Sequence, residues 1–133
     1  MQTNRRFRAD ERLRRKGDFG RVYARRCCVS DARLVLYVAP NGLSWSRLGM
    51  SVSRRFGGAV RRNLVRRRIR ESYRRQKDLL PTGFDVICIP RAPADGTQCL
   101  SASLLRLFER AVGRLEAKEQ RGRGDPRASR KEC

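Results

Sequence analysis

With 133 residues, the chain has room for one compact domain and not for two. Its 33 Lys and Arg against 13 Asp and Glu leave a formal charge of +20, far more than an enzyme of small anions needs. That excess calls for a polyanion, because each neutralised phosphate also releases condensed counterions. No stretch approaches about 20 apolar residues, so no membrane span is expected, and the basic N-terminus lacks the apolar run of a secretion signal. The basic residues are nearly all Arg, with Lys only at 16, 77, 118 and 131. Arg offers a rigid fork for phosphates and a plane that stacks on bases. Five Cys stand at 27, 28, 88, 99 and 133, an odd count in no zinc or redox spacing. With no His, a mixed Cys/His metal site is excluded. The thiols are expected to be reduced and structural, in a cytoplasmic protein.

Residues 1–16 are charged and poor in apolar anchors, which predicts a flexible basic arm. A helix follows over 18–26, capped by Asp18, with Phe19, Val22 and Tyr23 on one face. A short strand is expected at 27–29. Residues 34–39 alternate: Leu34, Leu36 and Val38 point one way, Val35, Tyr37 and Ala39 the other. Pro40, Asn41 and Gly42 mark a turn. Residues 48–53 alternate again, with Leu48, Met50 and Val52 apolar. Gly49, Ser51 and Ser53 leave the second face of that strand small, polar and open. Gly57 and Gly58 precede a helix over 59–77. A buried-type strand at 84–89 stops at Pro90, and 93–97 read as a loop. A last helix over 101–117 carries Leu104, Phe108, Ala111 and Leu115 in one stripe. Residues 118–133 read as a disordered charged tail. The order is α-β-β-β-α-β-α: one α+β domain over 1–117, with a small central sheet packed with helices.

The segment 53–75 holds ten Arg and one acid, Glu71. At about 100° per residue, Val65, Ile69 and Tyr73 form an apolar seam. Asn63, Arg66, Arg67, Arg70 and Arg74 cluster within about 100° on an adjacent face. Like charges four residues apart repel, and a bound phosphate backbone reverses the sign. Tyr37 lies opposite in parity to Leu36 and need not be core. Aromatic rings placed so are sequence-tolerant platforms for unpaired bases. Phe19 and Tyr23, four residues apart, fit such a platform and fit plain packing as well. Phe56 and Phe84 belong to turn and core.

Residues 49–71 read Gly-Met-Ser-Val-Ser-Arg-Arg-Phe-Gly-Gly-Ala-Val-Arg-Arg-Asn-Leu-Val-Arg-Arg-Arg-Ile-Arg-Glu. This stretch resembles the signature of the bacterial ribonuclease P protein component: a strand ending in Ser and two basic residues, a Gly turn, Ala-Val, then an Arg-Asn-Arg core. Residues 12–23 look like that family's first helix and its approach. Residues 33–37 resemble its next strand, and 83–91 its late strand and exit. The likeness runs in register over roughly 12–115. It departs at Leu64, the third position of the core, and at Gly58, usually basic before the Ala. No RNA contact is assigned to either.

The resemblance implies a fold like the second domain of ribosomal protein S5. It implies a protein that does not itself cut RNA. A catalytic RNA holds Mg2+ and hydrolyses precursor tRNA, freeing the 5′ leader. The protein would bind no cofactor of its own and have no catalytic residue. Its partners would be ribonuclease P RNA and precursor tRNA, with no membrane and no protein partner. By the same resemblance the catalytic RNA would meet Arg55, Arg61, Arg62, Asn63, Arg66, Arg67, Arg68 and Arg70. Phe19, Tyr23 and Tyr37 stand at the family's cleft aromatics, and Ser53, Arg54 and Arg91 near its leader and phosphate contacts.

Other readings stand beside this one. A nuclease in its own right needs metal-bound carboxylates or acid–base groups. Asp10, Glu11, Asp18 and Asp31 form no such motif, Asp85 sits within a strand and Glu71 amid Arg. Phe56-Gly57-Gly58 lacks the ending of a phosphate loop of the Walker type. A ribosomal protein would fit the charge equally well but needs no aromatic cleft. A DNA-binding reading could place 59–77 in a major groove, yet no helix precedes it in helix-turn-helix fashion.

Overall fold

The computed structural model describes residues 9–91 and 97–122. The expected loop at 93–97 falls almost wholly outside these residues, as do 1–8 of the arm and 123–133 of the tail. A short 3-10 turn (Ala9–Glu11) leads into α1 (Lys16–Arg25), β1 (Cys28–Ser30), β2 (Leu34–Pro40) and β3 (Arg47–Met50). A second 3-10 turn (Arg54–Phe56) precedes α2 (Ala59–Arg75), β4 (Phe84–Pro90) and α3 (Thr97–Gly122). This is the predicted α-β-β-β-α-β-α order, α+β in class.

The four strands run in the order β1-β2-β4-β3. β1 and β4 each pair antiparallel with β2, whereas β3 lies parallel to β4. A parallel neighbour needs a crossover, and α2 is that crossover. The alternation in β2 sorts the two faces as predicted. Leu34, Leu36 and Val38 enter the main core with Val65, Ile69, Tyr73, Leu104, Phe108, Ala111 and Leu115. The other face carries Ala39 and Ile87 beneath Val22 of α1, with Tyr37 and Ile89 half-buried beside them. The sheet thus lies between α1 on one side and α2 with α3 on the other.

Four expectations need correction. Asp18 does not cap α1: the helix starts at Lys16, its N-cap is Arg15, and no side chain caps it. Asp18 sits in the first turn, where a carboxylate favours the helix dipole. Residues 9–16 are no loose arm. Leu13 is buried, its N–H donates to the Leu48 carbonyl, and Arg12 bridges to Leu48 along the edge of β3. Glu11 is buried and pairs with Lys77 at 2.8 Å, and Trp45 Nε1 donates to the Asp10 carbonyl. The third change is at the other end, where α3 runs on through 118–122, into the stretch expected as tail. Finally, Cys28 is disulfide-bonded, so the thiols are not all reduced. Cys27 and Cys88 are free and buried. Burial, and then the nearby Asp31 charge, push the Cys88 thiol up to about 12, so it stays protonated and inert.

Candidate nucleic-acid interface

Two sites emerge, one on each side of the β3 edge. The first is a cleft between α1 and the sheet. Tyr23 of α1 meets Tyr37 of β2 edge to face, with ring centroids 4.7 Å apart and planes at 78°. Phe19 lies 6.4 Å from Tyr23 in a tilted arrangement. All three rings are half-buried, packed on one side and open on the other. Phe19 is seated on Gly49, where a Cβ would come within 2.7 Å of its Cζ. So Gly49 is buried, not part of an open face, and a larger residue there would displace the ring. Ser51 and Ser53 do remain exposed. The Tyr23 hydroxyl is hydrogen-bonded to Ser51. Burial and the Tyr37 phenol raise the Tyr23 pKa, and the Ser51 bond opposes them in part. The phenol is neutral at physiological pH.

A buried carboxylate holds the closed end of this cleft. Asp85 is fully buried and accepts from Arg47 Nε at 2.8 Å and Nη2 at 2.7 Å. Arg21 of α1 and Asn41 of the β2–β3 turn also donate to it. Arg47 and Asp85 are direct neighbours in the parallel register, so the fork reaches the carboxylate without bending away. Arg21 further donates to the Pro40 carbonyl. These bonds fix the tilt of α1, and with it the rings of Phe19 and Tyr23. Nothing in the spacing of Arg21, Arg47 and Asp85 along the chain announces their meeting.

At the far end, Arg91 follows Ile87 and Ile89 at two-residue steps and is exposed. Its guanidinium donates to the Asp31 carbonyl at 3.2 Å, so it lies against the β1–β2 turn. Ser53 has a structural duty: its hydroxyl accepts from Arg55 N–H and caps the turn Arg54–Phe56. That turn leaves Arg54 and Arg55 exposed.

The second site is α2. Its seam of Val65, Ile69 and Tyr73 is buried as predicted. Arg61, Asn63 and Arg67 are exposed, and Arg62, Arg66, Arg68 and Arg70 are partly so. The acid among them is used locally. Glu71 binds Arg74 and Arg75 at the C-terminal end. Their hydrogen bonds, Arg74's first, hold the Glu71 carboxyl below its usual range against a small effect of burial. Arg74 is therefore drawn out of the strip that the helical projection places it in. Asn63 Oδ1 accepts from Arg66 at 3.1 Å. Arg62 Nε is buried and donates to no group among the described residues.

Sequence reasoning missed two arginines. The segment along β3 brings Arg12 and Arg14 to a cavity of about 330 Å³ that Arg66 and Arg70 also line. No carboxylate is among its lining residues. Burial lowers the Arg70 pKa first, and the Arg12, Arg66 and Arg67 charges lower it further. Four arginines lining one space make it attractive to an anion. The one signal was Leu13, a lone apolar residue among charges, which turns out to pin this segment.

The family model for ribonuclease P matches residues 7–116. The chain belongs to the ribonuclease P protein component family. A relative from Thermotoga maritima is 42% identical over 85 residues, covering 64% of this chain and 73% of its own length. One from Pelotomaculum thermopropionicum is 38% identical over 101 residues, covering 74% and 90%. Among solved structures, the ribonuclease P protein of Thermotoga maritima superposes with a TM-score of 0.69 at 36% identity, over 75% of this chain and 96% of that one. The Staphylococcus aureus ribonuclease P protein gives 0.67 at 34% identity, over 76% and 94%. As a ribonuclease P protein component, the chain is a subunit of a ribonucleoprotein endoribonuclease. With its RNA subunit it processes the 5′ leaders of precursor tRNA, and ribonuclease P RNA is its partner. Asp85, Glu11, Glu71 and Asp31 are all engaged with cations. Among the described residues, no group of three or more His, Cys, Asp or Glu could hold a metal, and no helix is long and apolar enough to cross a membrane.

Proposed function

We propose that the protein grips two RNAs at once, the catalytic RNA through α2 and the precursor-tRNA leader through the α1 cleft. The observation that carries this reading is the separation of the two chemistries. Arg12, Arg14, Arg66 and Arg70 line one cavity where α2 meets the segment beside β3. Half-open aromatic rings gather in the cleft between α1 and the sheet, beside Ser51. Charge suits a structured phosphate surface. Rings with one open side suit unpaired bases, at about 1–3 kcal/mol per base stacked.

Arg61, Arg62, Asn63, Arg66, Arg67, Arg68 and Arg70 serve the docking face, with Arg55 at its entry and Arg12 and Arg14 added from the facing segment. Phe19, Tyr23 and Tyr37 receive leader bases. Ser53, Arg54 and Arg91 line the way for the leader's phosphates, Ser53 by donating the hydroxyl proton that its capping role leaves over. Mg2+ held by the RNA would supply the activated water and charge stabilisation of the reaction. The protein supplies no acid or base to that step. The cytoplasm, where precursor tRNA is made, is its place of work.

Reconstitution tests this reading. Added to a bacterial ribonuclease P RNA at low magnesium, the protein should raise the rate of precursor-tRNA cleavage. No gain over the RNA alone would contradict it.

A further inference from the structure

Val60 and Leu64 put two apolar side chains on the solvent side of α2, where Val60 is 86% exposed and Leu64 41%. They stand four residues apart, nearly opposite the buried seam of Val65, Ile69 and Tyr73. With Asn63, Arg67 and Arg70 they line an open cavity of about 620 Å³. A single exposed apolar residue is ordinary on any surface. Two in one notch, rimmed by two guanidinium groups and an amide with no carboxylate, are a different matter.

We propose that the notch formed by Val60 and Leu64 seats one unstacked nucleobase of the RNA on which α2 docks. The inference rests on the reading of α2 as the docking helix. A nucleotide has an apolar face, a polar edge and a charged backbone, and the notch offers a match for each. Val60 and Leu64 meet the face. Arg67 and Arg70 reach phosphates on either side, since each fork binds one phosphate in plane. Asn63 has its Oδ1 engaged by Arg66, so its NH2 faces outward as a donor to an acceptor on the base edge. A face that only followed a duplex backbone would gain from charge at position 64 and nothing from an apolar floor. RNA is read where bases are splayed out of the stack, and such a base needs an apolar support. The surplus of cations around the notch selects a nucleic acid over an apolar protein surface.

Two variants of the full chain test this against a bacterial ribonuclease P RNA, by binding over a salt series and by base-specific chemical probing. Val60→Ser with Leu64→Ser removes the floor and keeps the charge. Leu64→Arg adds charge and fills the notch. Both positions face solvent, so the circular dichroism of each variant should match the parent. The seat predicts that the double variant binds about ten-fold or more weakly with an unchanged salt slope. It predicts that one nucleotide protected in the parent complex becomes reactive at its base edge. Leu64→Arg should also weaken binding. A purely electrostatic face predicts the reverse: tighter binding for Leu64→Arg and no effect of the double variant. That result would overturn the seat. Failure of the underlying reading looks different. There, substitution of Arg66, Arg67 and Arg70 would leave the salt slope of the parent untouched.

Discussion

Burying the Asp85 carboxylate strips it of water, a penalty that only close donors can offset. Here Arg47, Arg21 and Asn41 supply them, from β3, α1 and the turn between β2 and β3. Asp85→Ala would leave two arginines facing a void and free α1 to tilt. Their partial exposure lets water reach them, so the loss of stability should be about 3 kcal/mol, the low end for breaking a buried pair. Denaturant unfolding at pH 7 measures it, and a loss under 1 kcal/mol would mean that the network does not hold the helix. At this scale the sequence was legible where period alone decides. The parity of Tyr37 placed it off the core face, and the two-residue alternation separated Leu36 from it. It was illegible where contacts join residues far apart in the chain. Asp85 read only as an acid within a strand, and Gly49 only as a small residue, because its partner Phe19 comes from another element.

The elements follow the same division. The seam of α2 repeats at the helical period, so its buried face could be read directly. The basic strip beside it could be read too, with one exception. Glu71 lies within reach of Arg74 and Arg75 at three and four residues, and it pairs with both. That leaves Arg66, Arg67 and Arg70 as the arginines to substitute. Replacing all three by Ala should lower the slope of log affinity for ribonuclease P RNA against log salt by about two to three. An unchanged slope in filter binding or calorimetry would contradict docking through this face. The ends of elements were less legible. α1 begins before its expected cap, and the continuation of α3 to Gly122 passes through residues whose charge suggested a tail. Local composition sets neither boundary. The residues ahead of α1 were read as an arm because their one anchor, Leu13, is surrounded by charge.

For the whole molecule, a charge of +20 on 133 residues opposes compaction. The arginine-lined cavity between α2 and the N-terminal segment concentrates that repulsion. An anion bound there in the native state alone shifts folding by mass action. In low-salt buffer, sulfate should therefore raise the helical circular dichroism signal more than chloride at equal ionic strength. A flat titration would contradict it. The proposed division gives α2 and the α1 cleft different RNA partners, with Leu13 and Gly49 lying between the charged cavity and the rings. One site is the arginine-lined face of α2, proposed as the dock. The other is an aromatic cleft whose shape is set by Asp85 and Gly49. The central claim is that division, and the leader tests it. In the assembled ribonucleoprotein, affinity for precursor tRNA and for mature tRNA can be measured side by side. Tyr37→Ala should weaken precursor binding about ten-fold and leave mature tRNA binding as it was. Equal losses on both would show that Tyr37 only packs the protein, and that the cleft holds no leader.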